Sequence, residues 1–398
     1  MKFKNKVVFG FLLLFVVLLI VLFPKLKRLN QVNHLFDEEN ILQNFQKIES
    51  IVEVSELRPA KQALKIASKN SYQFPNQFSF GSLNINTQDF LDSTRTEGLI
   101  VIQNDTIIFE EYFLGLEPSE SHISWSVAKS FISTLAGITI DQGLLDINLT
   151  VDQYLPEFKD TGYEGVIVKD IMQMSSGVLF NEDYGDFNSD INRFGRTFAL
   201  GSSFSSFAKS LQREKKPGTF NHYVSIDTQV LGMIISKIQK MSLTEMCQKH
   251  LWDSMGMEHK GSWIIDNENM EMALGGLNAS LRDYAKLGLL YLHGGVLNGN
   301  RILSAEYIKQ ATTPDAPHLM PNNIKSSDNH FGYGYQWWIP QFPQGDFFAA
   351  GIYYQFIYVN PLRNLVIAKL SADHNFNKHR HLVKDQHIAL FQTIARQL

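Results

Sequence analysis

The sequence predicts an α/β domain in which one antiparallel sheet is assembled from both ends of the domain, with a helical region inserted between them. Three observations lead there. GLIVIQNDTIIFEEYF, starting at Gly98, is two runs of β-branched and aromatic residues around Asn104-Asp105, a hairpin signature. Near the C-terminus FFAAGIYYQFIYV runs into an Asn360-Pro361 turn, and NLVIAKLS follows as the return strand. Between these clusters, apolar positions recur at helical spacing in SVAKSFISTLAGITIDQGLL, TQVLGMIISKIQ and LRDYAKLGLLYLHGG.

Three segments follow from the N-terminus. In residues 1–28, MKFKNK precedes an uncharged run from Val7 to Phe23 that ends at Pro24 and the basic KLKR. As a helix the run spans roughly 25 Å at 1.5 Å per residue, close to the ~30 Å hydrocarbon core of a bilayer. An uncleaved membrane anchor is expected, because no small-residue cleavage site follows Phe23; a long, removable secretion signal is the other reading. Lys2, Lys4 and Lys6 are balanced by Lys25, Lys27 and Arg28, so flanking charge does not orient the segment. Residues 29–96 read as a stalk, with helices expected around FDEENILQNFQKIESIVEV and in RPAKQALKIASKN. Residues 97–398 form the main domain.

Composition narrows the function. With 44% hydrophobic residues in 398, the chain can build a sizeable core, and a net charge of -4 offers no electrostatic footprint for nucleic acid. The single cysteine, Cys247, excludes an intrachain disulfide and a cysteine-rich zinc site. G-x-S-x-G, H-E-x-x-H and the Walker A pattern are absent. His374, His379 and His381 lack a matching carboxylate or cysteine pattern and read as a solvated turn or helix end, so no metal or organic cofactor is expected.

The segment SWSVAKSFIS places Ser126 three residues before Lys129, where a chain leaving a polar loop enters an apolar helix. On a helix the two side chains share a face. Free N–H groups at a helix start favour a developing alkoxide, and a buried lysine loses its proton readily and can act as a base. An N-cap serine beside a surface lysine accounts for the segment equally well. The pattern alone is weak, since Ser206-Phe207-Ala208-Lys209 matches it too. A phenol that could relay a proton stands at Tyr223, after a Pro-Gly turn and two residues before Ser225.

Taken in order, WSVAKS, VKDIMQMSSGVLFNEDYGDFNSD, PGTFNHYVSIDTQVLG, GGLNASLRDYAKLGLLYLHGG, YGYQWW and AAGIYYQFIYVNP resemble the landmarks of the penicillin-recognising serine hydrolases, the class C β-lactamase-like esterases and DD-peptidases. Within that family the chain is most similar to the 6-aminohexanoate-dimer hydrolase and carboxylesterase branch. The resemblance runs from about Gly98 to the C-terminus and implies a β-lactamase/transpeptidase-like fold. It implies Ser126 as nucleophile, Lys129 as general base, Tyr223 as proton relay, and an oxyanion hole from the backbone N–H groups of Ser126 and of Ile352, on the C-terminal strand just after Gly351. Tyr184 resembles a substrate-covering tyrosine, and Ser225, Ala350 and Gly351 would complete the substrate-binding wall.

Two departures carry consequences. Tyr223-Val224-Ser225 stands where many members carry Y-x-N. Ala349-Ala350-Gly351 stands where β-lactamases and DD-peptidases carry Lys-Thr-Gly or His-x-Gly, removing a cation and a hydroxyl that would hold a substrate carboxylate. The expected activity is therefore hydrolysis of a small-molecule ester or amide by a membrane-anchored, extracytoplasmic domain. A cell-wall DD-carboxypeptidase, endopeptidase or β-lactamase is one alternative, and a non-catalytic anchored binding or sensor protein is another. His222 beside Tyr223 reads as structural, Asp227 as a helix cap or pocket wall, and Trp337 and Trp338 as core and pocket wall. Strand alternation through Tyr353, Tyr354 and Phe356 would turn some of these rings outward.

Overall fold

The computed structural model describes residues 22–398 and, ahead of them, Phe9, Leu13 and Ile20. Most of the expected anchor from Val7 to Phe23 thus lies outside the described residues. Among the described residues no helix is long and apolar enough to cross a membrane.

The expected hairpins pair into one sheet. Its strands are β1 (Ala67–Ser68), β2 (Thr96–Gln103), β3 (Thr106–Tyr112), β4 (Gly332–Tyr333), β5 (Trp338–Ile339), β6 (Phe347–Gly351), β7 (Gln355–Asn360) and β8 (Leu365–Ser371). They lie in the order β4-β5-β6-β7-β8-β2-β3-β1. The ends of the domain meet where β8 pairs antiparallel with β2, with Ile367 opposite Val101. Asn104 and Asp105 both take positive φ, 48° and 59°, as the tight turn between β2 and β3 requires. Only β1 joins parallel, alongside β3.

Helices cover both faces of this sheet. Helix α1 (Ala128–Asp141), α2 (Asp190–Ala199) and α3 (Ser225–Gln239) belong to the inserted region, followed by α4 (Leu281–Leu292) and the C-terminal α5 (Phe376–Gln397). α4 lies on the face carrying Ile357 and Val366, which crowd Gly288. α5 covers the opposite face, where Phe391 packs edge-on against Phe356 and His387 stacks on it at 4.8 Å. The three longest helical periodicities of the sequence are thus α1, α3 and α4.

Residues 29–96 differ from the expected stalk. The first expected helix is confined to Ile41–Gln46, followed by a single 3₁₀ turn, and the second is replaced by bends and β1. The reason is tertiary. Ala60 and Leu64 donate their N–H groups to the carbonyls of Met257 and Gly256, and Val54–Leu57 pairs antiparallel with Gly261–Ile264. These long-range bonds replace the i to i+4 ladder that the local pattern favours. Ile41, Phe45, Ile48 and Leu57 are buried in the common core. Phe45 packs edge-on against His122, Trp125 and Tyr353 at 5.2 to 5.6 Å. Gln46 donates to Glu97 at 2.5 Å, and the other carboxylate oxygen of Glu97 meets the buried His122 at 3.0 Å.

The C-terminal strand pair also departs from expectation. FFAAGIYYQFIYV is not one strand but two, β6 and β7, broken at Ile352 to Tyr354, and Tyr353 and Tyr354 adopt φ of 60° and 69°. None of the three rings expected to alternate faces outward: Tyr353, Tyr354 and Phe356 are all buried, because Phe36, Phe376 and His387 cover them.

Replacing Phe45 by Ala should cost roughly 3–5 kcal/mol, the range for deleting a fully buried ring. Urea denaturation of the full chain measures it. A loss under about 1 kcal/mol, the size of a surface substitution, would mean that the lead-in segment is not part of the cooperative core.

Candidate active site

A small four-stranded sheet builds the turn that carries Ser126. Its strands run Val54–Leu57, Gly261–Ile264, Leu277–Ala279, His122–Ile123. The last leads into Ser124, whose N–H and hydroxyl both donate to the Leu277 carbonyl at 3.0 and 3.1 Å. A 3₁₀ turn, Trp125–Val127, follows and runs straight into α1. Trp125 has a φ of 47°, a left-handed conformation that is unfavourable for a bulky residue unless its surroundings impose it. Those surroundings are the rings of Phe36 and Phe45, 5.5 and 5.4 Å away.

Lys129, the second residue of α1, is 1% exposed. Its Nζ lies 2.9 Å from Ser126 Oγ and donates to the Leu274 carbonyl, which the loop before Leu277–Ala279 supplies. Burial strips water from the ammonium and lowers its pKa to about 7, with the Glu182 carboxylate pulling partly the other way. Tyr223 sits just before α3 with its ring 5.2 Å from Lys129 Nζ, stacked on Trp338 at 5.3 Å. Burial first, and Glu182 second, push its phenol above the ordinary value, while Ser126 draws it back. Two environments thus separate two roles: the phenol keeps its proton at neutral pH, and Lys129 is the group poised to lose one.

The C-terminal strands close the site from the other side. β6 approaches so closely that a Cβ on Gly351 would clash with the Ser124 carbonyl oxygen, so this position admits only glycine. Ile352 therefore sits in the turn after β6, beside Ser126, rather than on the strand as expected. Among the described residues, no backbone carbonyl accepts from the N–H of Ser126 or of Ile352. N–H groups without a backbone partner, on two residues that line the cleft, suit a developing oxyanion.

The remaining expected residues divide. Tyr184, Ala350 and Gly351 line the cleft with Ser126 and Tyr223. Ser225 is fully buried, and its hydroxyl donates to Glu182 at 2.6 Å, so it supports the cleft from beneath. Tyr184 donates to the same Glu182 oxygen at 2.7 Å. His222, expected to be structural, is held by Asp328 and the Phe180 carbonyl and also lines the cleft. Asp227 is buried at the start of α3 and accepts from Tyr163 at 2.9 Å; burial holds its pKa well above the carboxylate range. Ser206 lies in the first turn of a short helix, where its N–H donates to the capping hydroxyl of Ser203, outside the cleft.

Sequence reasoning missed two contributions. Glu182 ties together Tyr184, Ser225 and the charge on Lys129; its only sequence signal was its place next to Asp183 and Tyr184 in a polar loop. Arg380, His381 and Lys384 of α5 also line the cleft, more than a hundred residues beyond Tyr223 in sequence, and Lys384 Nζ lies 3.7 Å from the Trp338 ring. His381 is exposed near the start of α5, in keeping with the solvated helix end expected for it, and also lines the cleft.

A serine whose hydroxyl faces a buried lysine and a phenol, on a sheet built from both ends of the domain, defines a serine hydrolase of the β-lactamase/transpeptidase-like fold. The chain belongs to the Beta-lactamase family, whose model matches residues 86–390. It is similar to the 6-aminohexanoate-dimer hydrolase of Paenarthrobacter ureafaciens, with 27% identity over 290 residues that span 71% of this chain and 74% of that protein. A solved structure from Bacillus anthracis, provisionally named a 6-aminohexanoate-dimer hydrolase, superposes with a TM-score of 0.81 at 23% identity, covering 91% of this chain and 95% of that one. The octameric penicillin-binding protein homologue of Pyrococcus abyssi shares the fold at a TM-score of 0.59 and 20% identity, over 77% and 74% of the two chains.

With Lys129 as base, kcat/KM for an ester should rise with pH through a midpoint near 7, because only the neutral amine accepts the serine proton. Glu182→Gln removes a charge that favours the ammonium, so its midpoint should move to lower pH. A profile flat across neutrality would rule out Lys129 as the titrating base.

Proposed function

We propose that the chain is a membrane-anchored hydrolase that cleaves an ester or amide through an acyl intermediate on Ser126. The observation that carries this reading is Lys129 Nζ, buried and 2.9 Å from Ser126 Oγ. Neutral Lys129 takes the Ser126 proton as Oγ attacks the carbonyl carbon, and the N–H groups of Ser126 and Ile352 hold the oxyanion. As the tetrahedral intermediate collapses, Tyr223 donates its proton to the departing alcohol or amine and is reprotonated from Lys129. A water then attacks the acyl carbon by the reverse relay, releasing the acid and restoring Ser126.

Efficient action on β-lactams or D-Ala-D-Ala peptides has less support. Ala349 and Ala350 on β6 offer no cation beside the nucleophile, and the basic groups of the cleft come instead from α5 at its outer wall. The uncharged run from Val7 to Phe23 supports a membrane anchor, and the catalytic domain is proposed to lie outside the cytoplasm. Full-length protein should resist carbonate extraction from membranes, whereas loss of residues 1–28 should release it.

Ser126→Ala should abolish both the single fluorophosphonate adduct, read by intact mass, and turnover of p-nitrophenyl acetate; Ser206→Ala should keep both. Tyr223→Phe should lower kcat by roughly 10²–10⁴-fold, the usual contribution of a positioned proton donor. No adduct on folded wild-type protein would overturn the assignment in favour of a binding protein.

A further inference from the structure

Two cavities, not one, meet at Ser126. The cleft lined by Tyr223 measures about 370 Å³, and its walls mix aromatic rings with charged groups of both signs, Glu182, Asp183, Asp328, Arg380 and Lys384. A second cavity of about 600 Å³ starts from Ser126, Trp125 and Ile352 and runs away from Tyr223. Its size is that of a ligand site. Phe36, Ile48 and Val52 of the lead-in segment form one wall, and Ile191, Phe194 and Phe198 of α2 form another. The three α2 residues recur at helical spacing and so present one apolar face.

The polar side chains of α2 on this cavity are already committed. The Asn192 amide donates to the Tyr184 and Asp186 carbonyls at 3.0 and 2.8 Å, and Arg196 stacks 3.8 Å from the Phe187 ring. Arg28 donates to the Ala199 carbonyl at 2.7 Å, capping the last turn of α2 and holding that wall in place.

The chemistry of acyl transfer decides which arm takes which half of the substrate. Around the attacked carbon the oxygen must face the Ser126 and Ile352 N–H groups, and the leaving group must face the proton donor. Tyr223 lines the polar cleft and not the apolar cavity. The acyl chain is left with the apolar arm. We propose that this cavity is an acyl-chain pocket, and that the enzyme acts on esters or amides of an aliphatic acid several carbons long joined to a polar alcohol or amine. The proposal rests on the serine hydrolase reading and adds a substrate class to it. It also gives the lead-in segment a role in specificity.

Gly195 provides the test. It lines the cavity on α2, and a Cβ there would meet nothing within 4 Å, so a larger side chain can fill the space. The measurement is kcat/KM of the full chain in nanodiscs on p-nitrophenyl acetate, butyrate, hexanoate and octanoate. Values should rise by roughly twofold to fourfold per methylene, the upper figure corresponding to full burial. Gly195→Phe, with an unchanged thermal midpoint, should lower the octanoate to acetate ratio by about tenfold or more, the discrimination a filled apolar pocket imposes. A flat or falling series in the wild type overturns the pocket while leaving the hydrolase reading intact, as does a ratio that folded Gly195→Phe does not move. Failure to hydrolyse any of the esters overturns both.

Discussion

The burial of one amine beside one hydroxyl is the constraint on which the site depends. A lysine in water holds its proton at neutral pH and is useless as a base; Lys129 is suited to the base role proposed for it because α1 carries it into the core, where hydration of the ammonium is lost. That burial is tolerable because the Nζ keeps two partners, the Leu274 carbonyl and Ser126, and because Glu182 leaves it some residual charge stabilisation. Around this pair the phenol of Tyr223 is pushed the other way by the same desolvation. One environment thus yields an amine that titrates near neutrality and a phenol that does not.

Holding the pair requires a turn that would not form on its own. Trp125 in a left-handed conformation aims Ser126 at Lys129, and two sequence-distant segments keep it there. Phe36 and Phe45 of the lead-in region pack on its ring, and β6 presses Gly351 against the Ser124 carbonyl. Strain of this kind persists only when the surroundings over-determine it. Residues ahead of the main domain therefore share in building the active site.

The two arms of the site differ in physical character. On the Tyr223 side the walls carry charges of both signs; on the other side apolar side chains predominate, with Asn33, His34, Asn192 and Arg196 among them. An apolar arm binds by area removed from water and a polar arm by matched partners, so the nucleophile stands at a boundary between two modes of recognition.

Locally encoded features were legible in the sequence: the Asn104-Asp105 hairpin, the return strand after Asn360-Pro361, and helices α1, α3 and α4; Ser126, Lys129 and Tyr223 were brought together only by the family resemblance of the motif order. Turn chemistry and helical period act over a few residues, so they survive without knowledge of the fold. Residues 58–70 read as a helix and are not one, because the Ala60 and Leu64 N–H groups bond instead to the carbonyls of Met257 and Gly256. Glu182, the α5 cations, the turn that splits β6 from β7 and the apolar cavity depend on segments far apart in the chain. Periodicity has no term for such meetings; only packing decides them.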